Sequence, residues 1–182
     1  MASEPAPIRP LRRIEYEKLV ESGTFRGEKI ELLYGALVPM SPIGPPHASS
    51  VQRLDALMHA RLGSRIAIRI QLPFAARDLS EPEPDVALVP PGDYDEAHPA
   101  EASLIVEIAG SSLSQDRGTK ARLYAECAVP EYWIVNLATR ELEVHTEPSN
   151  GKYAAVSTLS RSDSVTLRAF RDVTFRVSDL IR

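Results

Sequence analysis

Apolar residues along the chain follow two periods, and the changes of period mark its elements. Between His47 and Leu62, the residues Val51, Leu54, Leu57, Met58 and Leu62 recur at helical spacing. That predicts a helix with one apolar stripe, with Gln52, Arg53, Asp55 and His59 largely outside it. From Arg65 to Arg77 the period becomes two: Ile66, Ile68, Ile70 and Leu72 alternate with Ala67, Arg69 and Gln71, as in a half-buried strand. Strand-sized apolar runs follow at 85–89, 104–108 and 131–137. A helix is predicted over 114–128, where Ser112 with Gln115 offers a capping box, or Ser114 the N-cap. Upstream, residues 12–22 predict a short helix stopped by Gly23, and 29–40 a hairpin about Tyr34-Gly35. Downstream, strands at 141–146 and 153–158 flank the turn Ser149-Asn-Gly151, and 165–178 is a further β-rich piece.

The middle of the chain therefore runs helix, strand, strand, strand, helix, strand. The segments 104–108, 114–128 and 131–137 form a β-α-β unit, whose two strands are parallel. The two strands before it have room only for hairpin connections and are expected to be antiparallel. A mixed sheet with helices packed against it follows, an α/β fold of the mixed α+β kind.

Length and composition narrow this picture. At 182 residues one domain over 11–182 is expected, with 1–10, three of them proline, as a loose arm. The 15 prolines cluster at 5–10, 39–46, 82–84 and 90–99 without a repeat or a low-complexity tract, so they read as loops within that domain. A single cysteine, Cys127, excludes an internal disulfide and a thiolate zinc cluster and fits a cytoplasmic location. It falls late on the predicted helix, where it faces the core. No apolar run approaches the roughly 20 residues that span a bilayer, and the N-terminus has no signal-peptide pattern. A net charge of −4, from 21 basic and 25 acidic residues, argues against a protein that coats nucleic acid non-specifically.

The candidate chemistry lies in the acids. In an antiparallel hairpin centred near residue 96, Asp85 and Glu107 fall opposite one another, about 4.5 to 5.5 Å apart. Glu107 inside Leu-Ile-Val-Glu-Ile carries a charge that must be paired or bind metal. Two such charges at 4 Å repel by about 4 kcal/mol at an effective dielectric of 20. Mg²⁺, which takes oxygen ligands, reverses the sign of that interaction. Lys120, about one and a half turns into the following helix, leans over Glu107, and Tyr124 lies one turn further on the same face. Each residue also has an ordinary explanation. Asp85 after a proline ends loops, Glu107 can sit in a buried ion pair, and Asp116 with Lys120 has the spacing of a surface pair. Only jointly do they favour a site. His47, at a helix start, is equally well a neutral or an exposed imidazole; His59, His98 and His145 show no ligand spacing. Spacing alone does not connect Glu31 to the site.

These residues carry a resemblance. Pro84-Asp85-Val-Ala-Leu-Val89, Leu104-Ile-Val-Glu107-Ile, Asp116-Arg-Gly-Thr-Lys120 and the run from Tyr124 to Val135 are similar to the Uma2 family, also called DUF820. So are Glu31-Leu-Leu-Tyr-Gly35 and Ser41-Pro42 followed by His47, and the likeness spans about 12–180. It implies a restriction-endonuclease-like core of the PD-(D/E)XK type, with an N-terminal hairpin and extra C-terminal strands. It implies Asp85, Glu107 and Lys120 as catalytic residues, and Asp85, Glu107 and Glu31 as ligands of Mg²⁺, for which Mn²⁺ can substitute. His47, Gln71 and Tyr124 are auxiliary candidates. Ala109 stands where the superfamily pattern has its lysine, and Lys120 on the next helix takes that place. The implied activity is phosphodiester hydrolysis, with DNA as partner, no membrane, and a homodimer or higher homo-oligomer. Arg69, Arg77, Arg117 and Arg122 are candidates for phosphate contacts, against the alternative of a solvated face. The alternative to an enzyme is a weakly active or inactive nuclease-fold domain that self-associates or binds a partner.

Overall fold

The structure is a computed structural model and describes residues 8–181. The arm expected over 1–10 lies mostly outside the described residues. Within them Arg9 forms a double hydrogen bond to Glu15, which ties the end of the arm to the first helix.

That helix, α1 (Arg13–Glu21), ends before Gly23, whose φ of 73° any Cβ would resist. The hairpin β1 (Ile30–Leu33) and β2 (Ala36–Pro39) turns at Tyr34 and Gly35, both at positive φ. Next, α2 (Pro45–Leu62) begins two residues before the expected start, with prolines at the helical positions that need no N–H partner. Its stripe is as predicted: Val51, Leu54, Met58 and Leu62 are buried and Leu57 packs beside them.

One mixed sheet organises the rest, in the order β3 (Ala67–Ile70), β4 (Val86–Val89), β5 (Leu104–Ala109), β6 (Glu131–Asn136), β7 (Glu141–Ser149), β8 (Lys152–Leu159). Only β5 and β6 are parallel; the other neighbours are antiparallel. β3 is shorter than its period suggests. Gln71 turns to φ 50°, so Leu72 leaves the sheet and is 44% exposed. The expected helix over 114–128 is likewise interrupted, as α3 (Leu113–Gln115), a π-turn (Asp116–Lys120) and α4 (Ala121–Glu126). No capping box forms at its start. Ser112 donates to the Asp116 carboxylate and Gln115 to Glu31, so tertiary partners take both side chains. The C-terminal piece is β9 (Ser164–Thr166) paired with β10 (Thr174–Arg176), then the helical turn α5 (Val177–Leu180).

Alternation along the strands divides the core between the two faces of the sheet. α2, β9, β10 and α5 cover one face through Val86, Val106, Ile108, Trp133 and Phe175. α4 covers the other through Ala87, Ile105, Ala109, Tyr124 and Tyr132. Glu107, between Val106 and Ile108 in sequence, points to the α4 face. Among the described residues no helix is long and apolar enough to cross a membrane.

Candidate active site

The register of β4 on β5 pairs Val86 with Val106 and Ala87 with Ile105. Extended by one residue, it sets Asp85 opposite Glu107. Extension of the β3–β4 ladder likewise sets Gln71 opposite Asp85, and the Gln71 N–H donates to the Asp85 carbonyl at 3.2 Å. Three donors then fix the Asp85 carboxylate. The Ile108 N–H lies 2.8 Å and His47 Nε2 3.0 Å from Oδ2, and the Gln71 amide lies 3.1 Å from Oδ1. His47 reaches it from the start of α2, and its Nδ1 is buried without a hydrogen-bond partner.

Glu107 lies a strand away and is buried. Its Oε1 accepts from Tyr124 OH at 2.7 Å and from Lys120 Nζ at 3.1 Å. Lys120 Nζ also stands 3.2 Å from Glu31 Oε2, so one ammonium bridges a strand acid and a hairpin acid. Glu31 in turn accepts from Gln115 and from the Glu83 N–H. A fourth acid, Asp116, is buried in the π-turn and accepts from Ser112 at 2.6 Å. Apart from Tyr124, which backs Glu107 from the core, these side chains line one cavity of about 180 Å³, with Glu83 and the exposed Lys29 at its wall.

Electrostatics in the cavity are unbalanced. Glu31, Asp85, Glu107 and Asp116 are all buried around one buried ammonium. Burial pushes the Glu107 pKa well above the ordinary carboxyl range; Lys120 opposes the shift, and Asp116, Asp85 and Glu31 reinforce it. Burial also raises Asp116 and Glu83. For Lys120 burial works against the charge, but Glu107, Glu31 and Asp116 outweigh it and its pKa lies above the ordinary value. Tyr124, raised by burial and then by Glu107, stays a phenol and hence a donor.

The structure thus brings together Asp85, Glu107, Glu31, Lys120, His47, Gln71 and Tyr124. Asp116 is not the surface partner its spacing to Lys120 suggests: it is 1% exposed and faces the same cavity. The i, i+4 spacing is equally that of an exposed pair, and only the placement of the π-turn over the sheet distinguishes the two. Glu83, read as part of a proline loop, and Lys29 also line the cavity. None of the four arginines does. Arg117 pairs with Glu143 and Arg122 with Glu126; Arg77 donates to the Glu126 carbonyl; Arg69 lies over Tyr94. Cys127 packs against the core and donates to the Ala76 carbonyl.

The donors are hard oxygens, and the carboxylates outnumber the cations, which suits Mg²⁺. Yet among the described residues no three His, Cys, Asp or Glu side chains stand as a ready-made metal group. Glu31 and Glu107 are turned to Lys120 instead.

A six-stranded mixed sheet with helices on both faces, and a buried acid cluster beside β4 and β5, place this chain among α/β proteins with a carboxylate-lined cavity. A crystal structure described as a putative nuclease belonging to DUF820, from Anabaena variabilis ATCC 29413, has a similar fold at TM-score 0.72 and 14% identity. The match covers 94% of this chain and 97% of that one. The family model for Uma2, described as "Putative restriction endonuclease", matches residues 14–178, and the chain belongs to that family. No curated protein matches it.

Proposed function

We propose that this protein is a Mg²⁺-dependent endonuclease that hydrolyses phosphodiester bonds, with DNA as its substrate. The observation that carries the reading is the convergence of four buried acid side chains on a cavity whose one buried cation is Lys120. Buried charge without compensation is costly, and a divalent cation on oxygen ligands relieves it. Asp85 and Glu107 would hold the ion, with Glu31 as a further ligand. When bound, the ion supplies Lewis-acid polarisation of the phosphate and a lowered pKa for its water.

The chain's own residues do the rest. His47, Gln71 and the Ile108 N–H fix the rotation of Asp85, and Tyr124 fixes Glu107. Lys120, kept protonated by its acid neighbours, stabilises negative charge that develops on the phosphate or orients the attacking water. The test is a cleavage screen of linear, nicked, branched and single-stranded nucleic acid with Mn²⁺, comparing wild type with Asp85→Asn and Glu107→Gln. Cleavage lost at least a hundredfold in both variants is expected. Equal activity in wild type and variants assigns the cleavage to a contaminant and removes the proposal.

One observation favours a non-catalytic binding domain instead: Lys120 already neutralises Glu31 and Glu107 by direct ion pairs. A titration of Mg²⁺ separates the two readings. Heat of binding or a rise in melting temperature that vanishes in the double variant supports the enzyme; no response in the wild type supports the binding domain.

A further inference from the structure

A second groove adjoins the acidic cavity and has the opposite character. It encloses about 480 Å³ and shares Ser41, His47, Ile108 and Ser112 with the cavity, so the two are continuous. Its remaining walls are Pro42, Gly44 and Pro46 on one side, Leu137 and Ala138 on the other, with Gly110 and Ser111 between. Apart from His47 it has no ionisable side chain. The volume lies within the roughly 300 to 1,000 Å³ of small-ligand sites.

Topology explains its position. Gly110 and Ser111 follow the end of β5, Leu137 and Ala138 the end of β6, and the Leu137 N–H donates to the Ala109 carbonyl between them. The groove therefore opens at the carboxyl ends of the sheet's one parallel pair. Gly110 leaves its floor open: a Cβ there would meet nothing within 4 Å. The exposed hydroxyls of Ser41 and Ser111, 3.4 Å apart, offer donors and acceptors at the rim.

We infer that this groove seats an unpaired nucleobase beside the scissile phosphate, and that the substrate class is single-stranded rather than duplex nucleic acid. The inference rests on the nuclease reading of the adjoining cavity. An apolar, nucleoside-sized groove whose one ionisable side chain, His47, is already held by Asp85 suits a base better than a phosphate. The surroundings do not suit a duplex backbone either, since the cations lining the acidic cavity are the ion-paired Lys120 and the exposed Lys29. A duplex keeps its bases stacked and must extrude one at a cost in pairing and stacking, whereas a single strand presents a base freely.

The experiment measures binding apart from cleavage. Fluorescence anisotropy follows a labelled oligothymidylate and a blunt duplex of the same length, with Ca²⁺ in place of Mg²⁺ because it accepts the same oxygen ligands. Wild type is expected to bind the single strand at least tenfold more tightly. Gly110→Trp, which fills the groove without backbone strain, is expected to lose about tenfold in single-strand affinity at an unchanged melting temperature. Ala138→Trp, at an exposed position on the opposite wall, repeats the test should Gly110→Trp fold poorly. Equal affinity for duplex and single strand, binding of neither, or wild-type single-strand affinity in a folded groove variant overturns the inference. The nuclease reading fails separately, on the Mn²⁺ cleavage screen of the metal-ligand variants.

Discussion

Lys120 is the residue on which the charge balance of the site turns. Lys120→Met keeps the length of the stem but leaves Glu31 and Glu107 buried without their cation. Breaking a buried pair in this way costs about 3 to 5 kcal/mol. At about 2 to 4 °C per kcal/mol for a chain of this size, a melting temperature roughly 10 °C lower is expected by calorimetry. Added Mg²⁺ should recover more of that loss in the variant than it adds to wild type. A melting temperature within 2 °C of wild type would show, on the same scale, that the carboxylates do not need this ammonium. Outside the site, Glu81 gives a cleaner pH signature. Burial, then a hydrogen bond to Glu17 and that group's charge, push its pKa up to about 8, with Arg13 acting against them. The folded protein thus holds a proton that the unfolded chain releases near 4.5. Its contribution to stability is complete below that pH and is lost as pH rises toward 8. Glu81→Gln mimics the protonated acid, so its melting temperature should fall less than that of wild type between pH 5 and 8 in a thermal series. Of the site residues, Glu107 was legible because a charge in an apolar strand has few explanations, and Asp85 because the hairpin register is arithmetic. Asp116 and Glu83 were not, because their local sequence is that of an ordinary helix surface and an ordinary loop.

Among the elements, the hairpin β1–β2 links stability to chemistry most directly, because Glu31 rides on it. Its turn needs Gly35, at φ 80°, where a Cβ would come within 2.3 Å of Pro10 Cβ. Gly35→Ala is therefore strained by backbone and by contact at once, and more than about 1 kcal/mol of stability should be lost. Metal-dependent cleavage should fall with it, since the displaced strand carries Glu31 away from Lys120; denaturant melts and cleavage rates read the two effects. Wild-type activity in a destabilised Gly35→Ala protein would mean that Glu31 does not serve the reaction. The periods of two and three to four located α2 and the central strands well, since each buries a single stripe or face. They could not reveal the π-turn at 116–120. There the Ala121 N–H reaches back to the Asp116 carbonyl, which also accepts from Tyr132 OH at 3.1 Å. That second donor belongs to β6, so the distortion depends on a tertiary contact that no local pattern encodes. The early end of β3 has the same origin: Gln71 breaks the strand while its amide binds Asp85.

At the scale of the whole molecule, a net charge of −4 and the pairing of its arginines constrain how it can hold a polyanion. Arg117, Arg122 and Arg65 are each engaged by a carboxylate, of Glu143, Glu126 and Asp172. A substrate phosphate would have to displace those partners. The exposed cation at the cavity mouth is Lys29. Each phosphate neutralised by a lysine or arginine contributes about −0.7 to the slope of log affinity against log salt for a single strand. With one or two such contacts, the slope for oligothymidylate should be about −0.7 to −1.4. A protein that tracks the backbone through six contacts would give about −4. Anisotropy titrations over a range of salt, at fixed Ca²⁺, measure it directly. A shallow slope places affinity in the metal and the apolar groove. A slope near −4 would instead move the substrate onto the arginine-bearing surface around Arg117 and Arg122, and the ion pairs there would have to open on binding. Lys29→Ala then decides between them, because it should reduce a shallow slope by about 0.7 and leave a steep one nearly unchanged.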